Sequence, residues 1–321
     1  MAATHNGRAA LLDVQSVSWR LTAAVPFKEP LYNPVAVWTG NTYLVVGNRC
    51  GASRDDGGAL PVCQPGGLVA ELYSPTADAW SPIRPPRETG DVVSLAAVGS
   101  IGDQTFIRLD SEVYAYSMAG QVWERLPDAP AAWDRVCVAR DVLVAGGSVV
   151  ENVVDIDRLS PGVNGVIDTN ATPDEPPVSG STYDPSTGEW TAVSRTGDDD
   201  DAAQQFQVVC TSDGLLMVPV GPLPASGQWN VYAYANGRWT AQPPPPERLG
   251  ALSASISSSD SVTFWAEAKQ VTFSYGAEPT WRTVSDPRDV VAAVPIDDGK
   301  ALLVQRVEQG VVATATISVV P

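Results

Sequence analysis

The chain of 321 residues carries 20 Lys and Arg against 37 Asp and Glu, which gives a formal charge of −17 at pH 7. Nucleic-acid binding depends on basic side chains that neutralise phosphates, so this balance argues against a duplex-binding role and against attraction to an anionic membrane surface. Hydrophobic residues make up 44% of the chain, enough for a sizeable core. With 27 Gly, 27 Pro and no capped stretch of helical periodicity, the composition predicts an all-β protein rich in turns.

The N-terminal segment and one pair of cysteines bear on the cellular compartment. "MAATHNGRAALL" lacks the basic and apolar regions of a signal peptide, and no apolar run reaches the ~18 residues of a membrane span, so we expect no membrane insertion. The protein is therefore cytosolic, or it is exported and its signal has been removed. Cys50 and Cys63 bracket a Gly-rich polar loop that a disulfide would stabilise by about 3 kcal/mol. This favours a secreted or cell-surface protein.

The other two cysteines lie in apolar runs. Cys137 in "RVCVA" and Cys210 in "QVVCT" have the surroundings of strand residues. We interpret them as buried free thiols and leave their redox state open. Neither cysteine pair has the spacing of a zinc site and no histidine is near, so the sequence disfavours zinc.

A hairpin pattern recurs along the chain. Six residues separate a Tyr from a Trp in "YSPTADAW", "YSMAGQVW" and "YDPSTGEW", which end at Trp80, Trp123 and Trp190. Looser copies, "YANGRW" and "YGAEPTW", join Tyr234 to Trp239 and Tyr275 to Trp281. Gly, Pro and Asn supply the turn, and the aromatic side chains pack on the flanking strands.

An apolar strand pair joined by a short turn precedes each hairpin or stands at the C-terminus. The six pairs lie within 33–47, 91–109, 134–147, 206–221, 250–266 and 289–307. Six pairs against five hairpins leave one outer strand missing, and "LLDVQSVSW", which ends at Trp19, supplies it. Sheets of four strands bury both faces when they stack radially. We therefore predict one domain over 1–321, a six-bladed β-propeller closed by an N-terminal outer strand, after a flexible segment 1–10.

These motifs resemble a known repeat family. "YDPSTGEW", preceded by "VAGG", resembles the kelch repeat, in which a Gly-Gly ends the second strand and a Tyr and a Trp flank the last turn. Only Gly146 and Gly147 form the complete Gly pair, so the chain is similar to a divergent kelch-like propeller of the kind found in the central domain of galactose oxidase. The copper site of galactose oxidase needs histidine ligands, and the single histidine, His5, cannot supply them.

Two long loops, 48–67 and 148–180, separate the second and third strands of their units. In propellers resembling this one, such loops share a face with the connections between blades, which is the usual binding surface. Basic residues recur in those connections, each beside an acid: Lys28, Arg87, Arg135, Arg248 and Arg288.

The four arginines of that set suggest an anion site. Around a propeller channel, Arg87, Arg135, Arg248 and Arg288 would converge on a ligand, with Trp133 or Tyr32 as a stacking platform. The alternative is that each Arg pairs with its neighbouring acid and stabilises a blade junction.

The remaining connection is acidic. It contains Asp198, Asp199, Asp200 and Asp201. Clustered carboxylates suit a hard cation, so these residues are the candidate metal site, with Ca²⁺ as the one cofactor left open. A solvated acidic loop without a metal is the interpretation we favour.

These observations favour recognition over catalysis. With one histidine in the chain, neither a Ser-His-Asp nor a Cys-His arrangement can be assembled at the channel. We predict a monomeric, non-catalytic binding propeller that recognises a glycan, peptide or protein through its loop-rich face. The alternative is a carbohydrate-active enzyme, such as a sugar-acid epimerase, a lyase or a sialidase-like enzyme, that uses Arg, Tyr and carboxylates at the channel mouth.

Overall fold

A computed structural model describes residues 2–5, 8–13, 18–26, 31–49, 67–89, 92–130, 133, 135–148, 178–196, 206–219, 229–247, 249, 252–258, 260–266, 269–275, 278–286, 290–296, 300–306 and 313–319. Every regular element formed by these residues is a β-strand. None of them forms a helix long and apolar enough to cross a membrane. The chain divides into two compact units, Met1–Asp128 and Ala129–Pro321.

The first unit contains three antiparallel sheets in chain order. The first sheet comprises β1 (Ala2–His5), β2 (Arg8–Asp13) and β3 (Ser18–Ala24). The second sheet comprises β4 (Leu31–Trp38), β5 (Tyr43–Arg49), β6 (Leu68–Ser74) and β7 (Ala79–Ile83). The third sheet comprises β8 (Leu95–Ile101), β9 (Gln104–Leu109), β10 (Glu112–Ser117) and β11 (Val122–Arg125).

The second unit contains four more antiparallel sheets. The first comprises β12 (Arg135–Ala139), β13 (Val142–Ser148), β14 (Val178–Asp184) and β15 (Glu189–Thr196). The next comprises β16 (Phe206–Cys210), β17 (Gly214–Pro219), β18 (Val231–Ala235) and β19 (Arg238–Gln242). The last two comprise β20 (Leu252–Ser257), β21 (Ser261–Ala266), β22 (Lys269–Ser274) and β23 (Thr280–Ser285), and then β24 (Val290–Ile296), β25 (Lys300–Arg306) and β26 (Ala313–Val319).

The predicted strand pairs are confirmed, and so is the all-β class. Each of the six apolar segments forms two adjacent antiparallel strands, from β4 with β5 to β24 with β25. The long loops also fall where expected, between β5 and β6 and between β13 and β14. Loop residues 50–66 and 149–177 lie outside the described residues.

Four of the five predicted hairpins have the expected aromatic pair. Tyr73, Tyr116, Tyr183 and Tyr234 each face the Trp of the next strand directly, with ring centroids 4.8 to 5.2 Å apart. The fifth prediction was wrong in its partner. Trp281 faces Phe273, 4.6 Å away, and Tyr275 follows the end of β22. The turn of this hairpin is longer, so the residue opposite Trp281 lies two positions before Tyr275. The spacing between Tyr275 and Trp281 therefore predicted the wrong partner.

The hairpin tryptophans also join successive sheets. Nε1 of Trp80 donates to the carbonyl of Ala23 near the end of β3, in the preceding sheet, at 3.1 Å. Trp123 donates to Arg84 and Trp281 to Pro243 in the same manner, each at 2.7 Å. At these three junctions the bond links a sheet to the one before it, whereas Nε1 of Trp239 has no hydrogen-bond partner in the described part of the chain.

The predicted closing strand is paired differently. β3, which contains Trp19, bonds to β2, and β24, β25 and β26 form a three-stranded sheet of their own. Residues 2–5 and 8–10, expected within a flexible segment, belong to β1 and β2. A hairpin between neighbouring segments closes a short loop and costs little chain entropy, which favours this local pairing over one with the distant C-terminus. The structure shows five four-stranded and two three-stranded sheets among the described residues, and six blades are not confirmed.

The interpretation of Cys137 and Cys210 as free thiols was wrong. They form a disulfide between the first strands of two adjacent sheets, β12 and β16, with Cα atoms 5.6 Å apart. Their apolar flanks indicated burial correctly, since Cys137 is 1% exposed. The sequence could not show that stacking brings two strands 73 residues apart to bonding distance.

Candidate functional site

Each four-stranded sheet has two chemically different ends. The turns between the first and second strands and between the third and fourth lie at one end, which we call the turn end. The opposite end, the connection end, carries the loop between the second and third strands and the segments that link successive sheets. The sequence predicted the ligand site at the connection end.

At the connection end of the β8–β11 sheet, Arg87 is held by two acids. Its Nη1 donates to Oε2 of Glu112 and its Nη2 to Oδ2 of Asp110, both at 2.7 Å. Glu112 also accepts from Nε of Arg125 at 2.7 Å and from the hydroxyl of Tyr114 at 2.9 Å. The neighbouring Glu88, expected as the partner of Arg87, instead lies 3.8 Å from Arg84.

This network governs the ionisation of Glu112. Burial acts to raise its pKa, but the hydrogen bonds from Tyr114 and Arg125 and the charges of Arg125 and Arg87 outweigh burial and lower the pKa. Glu112 is therefore ionised at neutral pH and neutralises the guanidinium groups around it. The contacts of Arg87 tie the connection to the sheet it enters, which is the blade-junction role considered for these arginines.

The other predicted residues are placed as follows. Arg135 begins β12 and donates from Nη1 to the carbonyl of Val208 in β16, at 3.1 Å. Trp133 is half-buried in the connection just before that strand. Glu247 accepts from Nζ of Lys269 at 2.7 Å. A ligand-binding role for Arg87, Arg135 and Trp133 stays a prediction.

Several predicted residues lie outside the described part of the chain. They are Lys28, Arg248, Arg288, Asp198, Asp199, Asp200, Asp201, Cys50, Cys63 and the side chain of Tyr32. The Cys50–Cys63 disulfide and the acidic metal site are therefore predictions still.

The turn end of the second unit contains a feature that the sequence did not indicate. A cleft of about 540 Å³ lies between the β12–β15 sheet and the β16–β19 sheet. Polar turn residues, strand hydroxyl groups and valine side chains line it. The lining residues are Ala139, Arg140, Asp141, Val142, Val144, Thr182, Asp184, Thr191, Ala192, Val193, Asp213, Tyr234, Asn236 and Gly237.

Three cross-sheet links fix the width of this cleft. Nε of Arg140 donates to Oδ1 of Asp213 at 2.8 Å across the mouth. The hydroxyls of Thr182 and Tyr234 share a hydrogen bond of 2.6 Å on the floor. The Cys137–Cys210 disulfide joins the same two sheets at their first strands. A cleft held from several directions is preformed, so a ligand need not order it on binding.

Arg140 holds a backbone conformation that few side chains adopt. Its φ is 55°, in the left-handed region, and Gly102 occupies the corresponding turn position of the β8–β11 sheet with a φ of 56°. A non-glycine residue in this region pays a conformational cost of about 1 kcal/mol. The side chain of Arg140 lines the cleft and pairs with Asp213 across it.

The mouth of the cleft is electronegative. Asp141, Asp184 and Asp213 supply three carboxylates against the one guanidinium of Arg140. The hydroxyl and backbone N–H of Ser186 donate to Asp184 and lower the pKa of its carboxyl, which keeps it ionised at neutral pH. Burial raises the pKa of Tyr234, more than its bond with Thr182 lowers it, so its phenol stays protonated.

Sequence reasoning missed the cleft because its residues were assigned to turns. "ARD", "DPSTG", "SDG" and "NG" have the composition of ordinary turns, and they are far apart along the chain. One signal was present. Arg140 occupies a turn position where Gly, Asn or Asp is the common residue, which indicates a structural or functional role for its side chain.

The arrangement offers hydrogen bonds, charge and apolar contact. The described residues contain no group of three or more His, Cys, Asp or Glu that could hold a metal ion.

Comparisons with known proteins add no identification, since no protein-family model and no curated protein matches the chain.

Proposed function

We propose that the protein is a non-catalytic binding module that recognises a peptide, protein or glycan. The observation that carries the proposal is the preformed cleft between the β12–β15 and β16–β19 sheets. Ligand sites are commonly clefts of about 300–1,000 Å³ with an apolar floor and a few placed polar groups, and a cleft of about 540 Å³ lies in that range.

The surroundings of the cleft support recognition by a rigid scaffold. Both sheets are meanders whose facing sides share one core, which includes Val144, Val208, Met217 and Tyr232. The polar groups at the mouth belong to short hairpin turns between well-packed strands. Such groups are held in fixed positions, and a fixed set of donors and acceptors gives specificity.

Two finer predictions belong to this proposal. The Cys137–Cys210 disulfide supports an oxidising compartment and so a secreted or cell-surface protein. The Trp-to-carbonyl bond found at three sheet junctions supports a kelch-like propeller, and six blades in a closed ring remain part of the proposal. A closed ring predicts a radius of gyration of about 20 Å by small-angle scattering. A clearly larger radius would contradict it.

A thermal-shift screen with a cleft-filling variant tests the binding function. Thr191 is an exposed residue of β15 that lines the cleft and lies opposite Thr182, on the face turned to the β16–β19 sheet, so Thr191→Trp should fill the cleft while leaving the core intact. A ligand at 100 times its Kd stabilises a protein by about 2.7 kcal/mol. We expect a binding peptide or oligosaccharide to raise the Tm of the native protein and to leave that of Thr191→Trp unchanged.

Thr240→Trp is the matched control. Thr240 is exposed and follows Trp239 directly on β19, as Thr191 follows Trp190 on β15, but it does not line the cleft. The control should keep the ligand response. A ligand that stabilises the native protein and both variants equally would place binding elsewhere and contradict the proposal.

A further inference from the structure

We propose that the ligand of the cleft is a peptide segment in which a lysine or arginine stands next to an apolar residue. This inference rests on the proposed binding function and names the chemistry of its ligand. The basic group would meet the carboxylates at the mouth, and the apolar side chain would enter between the two sheets.

Charge selects a cation over an anion. Asp213 is engaged by Arg140 at 2.8 Å, which leaves Asp141 and Asp184 as the carboxylates that face the mouth without a cation among the described residues. An ammonium or guanidinium group forms strong charge-assisted hydrogen bonds with such carboxylates. A ligand carboxylate would face three acids and one committed guanidinium, and like charges disfavour that approach.

The interior of the cleft selects an apolar neighbour. Val142 and Val193, both half-buried, line the cleft beside Val144, which is only 2% exposed. A charged group pushed that far would lose its hydration without a partner. The basic head therefore stays at the mouth, and the adjacent apolar side chain fills the space between the valines.

The same walls disfavour a sugar. Glycan sites stack a sugar ring on an exposed aromatic face, and the aromatic residue that lines this cleft, Tyr234, is only 1% exposed. Its hydroxyl is already bonded to Thr182. A peptide needs no stacking platform, so the lining matches an amphipathic peptide better than an oligosaccharide.

Fluorescence anisotropy with three labelled hexapeptides tests the inference. The peptides are Gly-Ser-Leu-Lys-Ser-Gly and the same sequence with Gln or Glu in place of Lys. We expect the Lys peptide to bind most tightly, the Glu peptide least tightly, and the affinity of the Lys peptide to fall as NaCl is raised from 20 to 300 mM, because salt screens exposed charges.

Variants at the mouth give changes in opposite directions. Asp141→Asn removes one carboxylate and should weaken the Lys peptide roughly tenfold, the effect of losing one charge-assisted contact. Arg140→Gly suits the backbone of the turn, frees Asp213 and should tighten binding. Glu278→Gln, at an exposed carboxylate outside the cleft, should leave the affinity unchanged.

The failures are distinguishable. Equal affinity for the Lys, Gln and Glu peptides, or no effect of Asp141→Asn, overturns the inference of a basic ligand. An oligosaccharide that binds the native protein but not Thr191→Trp overturns it too, although the cleft then remains a binding site. If Thr191→Trp changes the binding of neither peptides nor oligosaccharides, the proposed function fails as well.

Discussion

Arg87 and Glu112 form an ion pair of 2.7 Å between a connection and the third strand of the sheet that it enters. Glu247 and Lys269 form a pair of the same length at the corresponding place in the β20–β23 sheet, with the charges exchanged. Glu112 and Lys269 each begin the third strand, four residues before the aromatic that faces the hairpin Trp. The position of the ion pair is the same in the two sheets, but the basic and acidic residues have exchanged places. This indicates that the role of the pair is to hold the connection against the sheet.

Removing Arg87 should lower stability modestly. Arg87→Met leaves Asp110 and Glu112 close together without their cation, and a partly exposed network of this kind is worth about 1 kcal/mol. The control is Arg84→Met, at a side chain 84% exposed, which should change the free energy of unfolding by less than about 0.5 kcal/mol. Urea unfolding measures both. Equal losses in the two variants would show that the network adds nothing.

The carboxamide of Gln207 should contribute substantially to stability although it carries no charge. Its Nε2 donates to the carbonyl of Leu252 at 3.0 Å, and its Oε1 accepts from the N–H of the same residue at 2.9 Å, so it bridges β16 to β20. Gln207→Leu leaves both backbone groups unpaired and should cost about 2 kcal/mol. Gln242→Leu is the control, because Nε2 of Gln242 bonds Thr240 of its own strand. A loss of similar size in the control would refute the bridging role.

The disulfide between Cys137 and Cys210 should contribute a large share of the stability. It closes a segment of 73 residues, and the loss of unfolded-chain entropy corresponds to about 4 kcal/mol. Replacing both cysteines by Ala should lower the midpoint of urea unfolding accordingly. Peptide mapping without reductant should recover the linked pair. Complete alkylation of both thiols under those conditions would contradict the disulfide.

Glu71 should make stability fall as the pH rises. It is 6% exposed in β6, its Oε2 has no hydrogen-bond partner, and burial raises the pKa of its carboxyl. Because the pKa of Glu71 is raised in the folded state, its contribution to the free energy of unfolding is fully present below the unfolded pKa of about 4.3. That contribution is lost as the pH rises through the folded pKa. Glu71→Gln should therefore have a higher Tm than the native protein at pH 7 and a similar Tm near pH 4. A lower Tm at pH 7 would show that the carboxylate is stabilised.

The repeated local patterns could be predicted from the sequence because they depend on neighbouring residues. Tyr183 and Trp190 face each other across a turn whose residues set the register, and the apolar runs identified both strands of each pair. What failed were the relationships between distant segments. The apolar pattern of β3 fits a pairing with the C-terminal strands as well as it fits the observed pairing with β2. Cys137 comes close to Cys210 only because the β12–β15 and β16–β19 sheets stack on each other.

The candidate site was less predictable than the fold. The arginines of the connections were identified from their spacing, but spacing does not reveal that Arg87 is already engaged by acids 23 and 25 residues away. The cleft depends on turns from two sheets that come together at one end, and no linear pattern encodes that meeting. Arg140 at a left-handed turn position was its one local sign.

Methyl NMR of the valines in the cleft tests the central claim most directly. Val142, Val144 and Val193 line the cleft, so their methyl resonances report on its occupancy. On titration with Gly-Ser-Leu-Lys-Ser-Gly, we expect saturable shifts at these three residues that are absent in Thr191→Trp and present in Thr240→Trp. Shifts confined to other methyl groups, or unchanged cleft resonances with every peptide and oligosaccharide, would contradict the assignment of the cleft as the binding site.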